Sequence, residues 1–207
     1  MKKIGIMGGT FNPIHIGHIE IAKAAYEQYK LDEVWFMPNN IPAYKSDNNV
    51  VSGKHRMDMV DLAIIDYPYF KSSDFEINRD GKTYSYETFT LLNELYKDCN
   101  FYFIMGADSL FYFEKWVHPE IIVQFSTILV ASRDDNGIEE IDKRIHKLEH
   151  QFGKDHFYVV NSNKIECSSS ELRKCLSCAE NGENEIYINK YIPDKVIEYI
   201  KNNNLYK

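Results

Sequence analysis

The chain has 207 residues, 44% of them hydrophobic and 27% charged, a composition suited to one globular domain spanning 1–207 with a real core. A net charge of −7 argues against a general nucleic-acid surface and requires any phosphate site to be locally positive, through converging Arg, Lys and His side chains. No apolar run approaches membrane-spanning length, and Met1-Lys2-Lys3 leads into too few apolar residues for a signal peptide, so a cytoplasmic protein without membrane contact is expected.

In chain order, Lys3–Met7 predicts a short buried strand. Gly8 and Gly9 then remove the Cβ atoms that would hold a backbone away from a ligand, and Asn12-Pro13 turns the chain. Gly17-His18 opens a helix whose Ile19, Ala22, Ala25, Tyr26 and Tyr29 recur at helical spacing. Glu33–Met37 is strand-like, and a loop rich in Pro and Asn runs from Pro38 to Asn49. Ser52 can cap a helix reaching about Ile65. Tyr69–Ile77 is β-like, Tyr86–Lys97 helical, and Phe101–Met105 and Thr127–Ala131 are apolar strands. Ile138, Ile141, Ile145, Leu148 and Phe152 mark an amphipathic helix, and Phe157–Val160 a further strand. Ser169–Ala179 and Pro193–Asn203 complete the chain as helices. Apolar strands alternating with helices predict an α/β fold: a Rossmann-like, mainly parallel sheet with helices on both faces. In such sheets ligands bind beyond the carboxyl ends of the strands.

The motifs sit there. His15 and His18, three residues apart, converge at a strand-to-helix junction where unpaired N–H groups and the helix dipole favour an anion. The glycine-rich run is neither a Walker A loop nor G-x-G-x-x-G, so phosphate binding falls to the imidazoles. After the most apolar strand, Gly106 permits close approach of a ligand and Asp108 can accept from ribose hydroxyls. Ser168, Ser169 and Arg173 pair hydroxyls and helix-start N–H groups with a guanidinium, a combination suited to β- and γ-phosphates. The same Ser-x-x-Glu also reads as a capping box. Cys99, Cys167, Cys175 and Cys178 have no framework spacing and read as reduced thiols. His146-Lys147-Leu148-Glu149-His150 has the spacing of certain zinc peptidases, but both histidines fall off the apolar stripe and read as a solvated face.

Gly8-Gly9-Thr10-Phe11-Asn12-Pro13-Ile14-His15-Ile16-Gly17-His18 resembles the signature of the nucleotidylyltransferase superfamily, which transfers a nucleotidyl group from a nucleoside triphosphate and expels pyrophosphate. Within it, Gly106-Ala107-Asp108 with Trp116, and Arg79-Asp80-Gly81-Lys82-Thr83-Tyr84-Ser85, are similar to segments of the nicotinate mononucleotide adenylyltransferases. The resemblance implies ATP and nicotinate mononucleotide as partners. It implies His18 and His15 as the catalytic pair on the α- and neighbouring phosphates. Gly8, Gly9, Thr10, Phe11, Gly106, Asp108, Arg133, Ser168, Ser169 and Arg173 would join them around ATP. It further implies Asn39, Lys45, Thr83, Tyr84, Ser85 and Trp116 around the acceptor, with main-chain N–H groups of Tyr84-Ser85 facing the pyridine carboxylate. Departures are Cys167 for an aliphatic residue, Ser170 for Thr, Thr83 and Ser85 with exchanged hydroxyl types, and Tyr44 where the family's Pro-Pro-His-Lys loop has His. No carboxylate cage is visible, so Mg2+ is expected to arrive with ATP, and no protein metal site is expected. Pantetheine-phosphate adenylyltransferases share the first signature, and a non-catalytic nucleotide sensor would keep the fold; pyrophosphate release separates the sensor. A homo-oligomer is left open.

Overall fold

The computed structural model describes residues 1–42, 50–132, 138–163, 165–178 and 182–207. Strand β1 (Lys2–Gly9) leads into helix α1 (Ile16–Tyr29), then β2 (Glu33–Pro38) and the two-residue β3 (Ile41–Pro42). Helix α2 (Gly53–Ile64) precedes β4 (Phe70–Ser72), the short β5 (Lys82–Thr83) and α3 (Ser85–Leu95). Next come β6 (Cys99–Gly106), α4 (Ala107–Tyr112), a 3-10 turn over Phe113–Lys115 and α5 (Pro119–Phe125). Then follow β7 (Ser126–Ser132), α6 (Ile138–Phe152) and β8 (Phe157–Asn161). Helices α7 (Ser169–Ser177), α8 (Gly182–Tyr191) and α9 (Asp194–Asn202) end the chain.

Six strands form one sheet in the order β4-β2-β1-β6-β7-β8, and every neighbouring pair is parallel. β1 runs two residues past its apolar stretch because Gly8 and Gly9 pair with Met37 and Pro38 of β2. Side chains alternate across the sheet, and each face buries its own core. Ile4, Ile6, Phe103, Met105, Ile128 and Val130 pack with Phe89 and Leu92 of α3, Ile122 of α5 and Leu148 of α6. Met7, Ile104, Leu129 and Ala131 pack on the other face with α1, α2 and α7 to α9. Each such fully buried aliphatic side chain contributes about 1.5–3 kcal/mol.

Three sequence expectations shift. Tyr69–Ile77 is strand only at Phe70–Ser72 and then turns, and α5 and α8 are helices that the periodicity did not mark. In α8 only Ile188 is buried while Ile186 is 70% exposed, so no apolar stripe announces it. Among the described residues, no helix is long and apolar enough to cross a membrane.

Glu33, at the start of β2, is a local electrostatic anchor. Burial pushes its carboxyl up, but Lys2, Lys71 and the Trp35 indole outweigh that and pull it down to about 2. Lys2 Nζ lies 2.7 Å and Lys71 Nζ 2.6 Å from Oε1, and Trp35 Nε1 donates to Oε2 at 2.9 Å. A carboxyl lowered by folding stabilises the fold above its ordinary value near 4.5, and that contribution is lost as the pH falls toward 2. Both lysines are about half exposed, so screening holds the effect to about 1–2 kcal/mol. Urea unfolding should therefore show Glu33→Gln less stable than the parent at pH 7, with the gap closing below pH 3. A gap that persists at pH 2 would assign the loss to packing.

Candidate active site

β1 and β6 lie at the point where the chain's winding reverses, since β2 follows on one side and β7 on the other. Their carboxyl ends, Gly8-Gly9 and Gly106, border a crevice there, as the rule for doubly wound sheets requires. Two cavities of about 330 and 280 Å³ open from it and share the Gly8–Thr10 backbone, Phe103, Ser109 and Trp116. Trp116 rests against Phe103 and Phe113, with ring centroids 6.1 and 5.6 Å away, and lines both lobes.

The larger lobe is built on the turn from β1 into α1. Phe11 takes a left-handed backbone (φ 47°) and folds its buried ring back under Gly9, where an added Cβ would come within 3.0 Å of it. The Asn12-Pro13 bond is cis. His15 is the N-cap of α1, and its N–H donates to Nδ1 of His18 at 3.3 Å. With Nδ1 an acceptor, the neutral His18 ring carries its proton on Nε2. The two imidazoles lie 3.8 Å apart, and the Phe11 ring meets His18 edge-on at 5.1 Å. His18 lines the lobe. His15 is 5% exposed and lies behind it, outside both linings. Gly17 gives the His15 ring its room, since a Cβ there would sit 3.0 Å from it.

Across the lobe, α7 brings Ser169 and Arg173 to the wall. The Ser169 hydroxyl donates to the Pro13 carbonyl at 2.9 Å, and Arg173 Nη1 donates to the Asn12 carbonyl at 2.9 Å. Ser168 does not reach the cavity. It caps α7 by accepting from the Glu171 N–H (3.2 Å) while its hydroxyl donates to the Glu171 carboxylate (2.9 Å). Phe11, Gly106 and Asp108 also line this lobe, with Asp108 exposed at its mouth.

Two groups that sequence reasoning missed hold the turn. Arg56 is 1% exposed; it donates to the carbonyls of Thr10 (3.0 Å), Asn40 (3.0 Å) and Val51 (3.2 Å), and to Asn39 Oδ1 (3.5 Å). Burial lowers its guanidinium's affinity for the proton, against the neighbouring Tyr206 phenol, and it remains a cation under the glycine turn. Tyr206 donates to Asn12 Oδ1 at 2.9 Å, where the Val51 N–H also bonds. Arg56 shares a face of α2 with Met59, Val60 and Ala63, so a charge on an apolar stripe was its only signal.

The smaller lobe contains Asn39, Thr83, Tyr84, Ser85 and Trp116, together with Glu76, Thr88 and Val117. Asn39 Nδ2 donates to Thr10 Oγ1 at 3.5 Å, which ties this wall to the glycine turn. Tyr84 is the N-cap of α3, so the first N–H groups of the helix, which have no intrahelical acceptor, open at the cavity beside Ser85. Lys45 and Arg133 lie outside the described residues. His146 and His150 are exposed on α6, opposite Ile145 and Leu148. Among the described residues, no group of three His, Cys, Asp or Glu side chains is disposed to hold a metal ion.

A parallel sheet with its crevice at the switch point and a glycine–histidine turn on the crevice floor belong to the Rossmann-like nucleotidyltransferases, and residues 6–175 match the model of the cytidylyltransferase-like family. A protein of Lachnoclostridium phytofermentans, named a probable nicotinate-nucleotide adenylyltransferase, is 40% identical over 206 residues, covering 100% of both chains. The nicotinic acid mononucleotide adenylyltransferase of Plasmodium falciparum is similar in structure, with a TM-score of 0.81 complexed with NaAD and 0.79 complexed with APC. Its identity is 27% and 26% in the two complexes, over 100% of this chain and 98% of that one. The chain belongs to the cytidylyltransferase-like family and, within it, to the nicotinate-nucleotide adenylyltransferases.

Proposed function

We infer that this protein transfers the adenylyl group of ATP to nicotinate mononucleotide, giving nicotinate adenine dinucleotide and pyrophosphate. The observation that carries this reading is the divided crevice. One lobe has a glycine floor with His18, Ser169 and Arg173, and the other, sharing Trp116 with it, ends on the N-terminus of α3. A nucleoside triphosphate suits the first and an anionic pyridine nucleotide the second.

An oxygen of the acceptor's 5′-phosphate attacks the α-phosphorus. The bond to the α–β bridging oxygen breaks, and pyrophosphate leaves with the electron pair. A phosphate monoester has a second pKa of about 6, so the nucleophile is already ionised at neutral pH and needs no general base. Catalysis then rests on alignment and on neutralising charge at the α-phosphate. His18 serves the α-phosphate through Nε2–H. His15 supports it by its N–H and its ring, a positioning role that fits its burial behind His18 better than direct phosphate contact. Arg173 and Ser169 serve the outer phosphates and Asp108 the ribose, and the helix cap made by Ser168 orients that wall. Arg133 and Lys45 remain proposed phosphate contacts from resemblance. Mg2+ enters as part of the substrate, bound by the triphosphate oxygens. Residues 1–207 are read as one nucleotidylyltransferase domain, because both cores pack on the same sheet, and a cytoplasmic site of action follows from the biosynthetic reaction.

The test is pyrophosphate release from ATP, Mg2+ and each of two acceptors, the acid and the amide mononucleotide. A carboxylate accepts from helix N–H groups with both oxygens, whereas the amide NH2 would set a donor against donors. One mismatched charge-assisted contact amounts to about 1.5–3 kcal/mol, so kcat/KM should favour the acid by about 10- to 150-fold. Trp116→Ala should reduce activity with both acceptors without reversing the preference. Equal use of the two acceptors would remove Tyr84-Ser85 from the carboxylate site.

A further inference from the structure

The turn from β1 into α1 is held by donors from distant parts of the chain. Arg56 of α2 donates to the Thr10 carbonyl, and Arg173 and Ser169 of α7 donate to those of Asn12 and Pro13. The buried Asn12 side chain is held as well: its Oδ1 accepts from the Val51 N–H at 3.3 Å and from the Tyr206 hydroxyl at 2.9 Å. A turn after α9 delivers Tyr206 to this point. The Leu205 N–H donates to the Ile200 carbonyl at 3.1 Å, and Asn204 (φ 51°) and Tyr206 (φ 65°) take left-handed backbones. Asn adopts that conformation readily, but an aromatic residue does so rarely, and only where its surroundings fix it. The Tyr206 ring packs on the core shared by α1, α2 and α7 to α9. Burial pushes its phenol above the ordinary value, opposed by the Arg173 and Arg56 guanidiniums, so the hydroxyl keeps its proton and remains a donor.

Substrate affects these donors differently. Ser169 and Arg173 line the nucleotide lobe, whereas Arg56 and Tyr206 line neither lobe. The Ser169 hydroxyl has one proton, so a phosphate that accepts it takes it from the Pro13 carbonyl. Arg173 must likewise divide its donors between Asn12 and the phosphates. The turn therefore loses support from α7 when His18, further along the same segment and oriented by the His15 N–H, has to be in place. Arg56 secures Thr10, and Tyr206 secures Asn12, nearer the histidines. We propose that Tyr206 is a positioning residue for adenylyl transfer: through Asn12 Oδ1 its hydroxyl holds the turn that carries His15 and His18 while ATP engages Ser169 and Arg173. Resting on the reaction and phosphate assignments above, this role adds a residue outside both lobes to those that shape the transition state.

The test is steady-state pyrophosphate release from ATP, Mg2+ and nicotinate mononucleotide by the parent and by Tyr206→Phe, which removes the hydroxyl and keeps the ring. At a temperature where thermal melting shows both proteins folded, Tyr206→Phe should lower kcat about 3- to 10-fold, the worth of one hydrogen bond, and change KM for ATP less than about 2-fold. A purely structural bond would lower the melting temperature and leave kcat alone. In an Asn12→Ala background the same substitution should cost no further kcat, because its route through Asn12 is already gone. An unchanged kcat in Tyr206→Phe overturns the proposal, as does a rise in KM for ATP at constant kcat. A loss of kcat that recurs in full in the Asn12→Ala background overturns the route through Asn12. If Asn12→Ala does not fold, the kcat of Tyr206→Phe decides alone. A parent protein that releases no pyrophosphate overturns the reaction itself, whereas an active parent with an unaffected Tyr206→Phe overturns only the role of Tyr206.

Discussion

Replacing His18 with alanine should lower kcat by about 10²-fold or more while raising KM for ATP far less, as expected for removal of one preorganised donor. Charge at the α-phosphate is redistributed only as the new bond forms, so a donor aimed there acts mainly in the transition state. The local structure holds this donor before substrate arrives. The His15 N–H fixes the tautomer of His18, and the His15 and Phe11 rings flank its imidazole on the turn. Little reorganisation is then needed at the moment of transfer. Steady-state kinetics at saturating acceptor decide the matter. A variant with half the parent kcat would remove His18 from the reaction, and an equal fall in kcat and in ATP affinity would make it a ground-state contact.

The parts of this site that could be read from the sequence are those whose neighbours in space are neighbours in the chain. The Gly8–His18 run is one strand, one turn and one helix start, so its glycines, its turn and its paired histidines act within a short segment. The alternation of apolar strands with helices likewise implied a parallel sheet, and thereby the end of the sheet at which ligands bind. What could not be read depends on distant contacts. Arg56 is a charge on a helix, ordinarily a solvated one. Acceptors distant in the chain, the carbonyls of Thr10 and Asn40 that follow β1 and β2, help make it a buried strut. Tyr206 reaches Asn12 across almost the whole chain. Glu76 falls in a stretch that alternates like a strand, yet the chain leaves the sheet after Ser72, and the turn brings Glu76 into the lining of the smaller lobe. The assignment of Ser168 to phosphate and to a helix cap could not be decided by pattern. The structure supplies the cap.

Arg173→Ala should raise KM for ATP about 10- to 150-fold and reduce kcat much less, in line with about 1.5–3 kcal/mol for a charge-assisted contact. A guanidinium on the outer phosphates is engaged both before and during transfer, so its loss weakens the ground state and the transition state together. That separates it from His18. The chain carries a net charge of −7, so the cations at this lobe must offset a repulsive background as well as bind. Arg173 also donates to the carbonyl of Asn12 and so supports the turn that carries His18. The two roles can be distinguished with Arg173→Lys, which keeps the charge but not the planar fork. If phosphate attraction dominates, the lysine variant should recover much of the ATP affinity. If support of the Asn12 turn dominates, both variants should lose kcat along with thermal stability. An unchanged KM for ATP in the alanine variant would leave Arg173 only its structural role on the Asn12 turn.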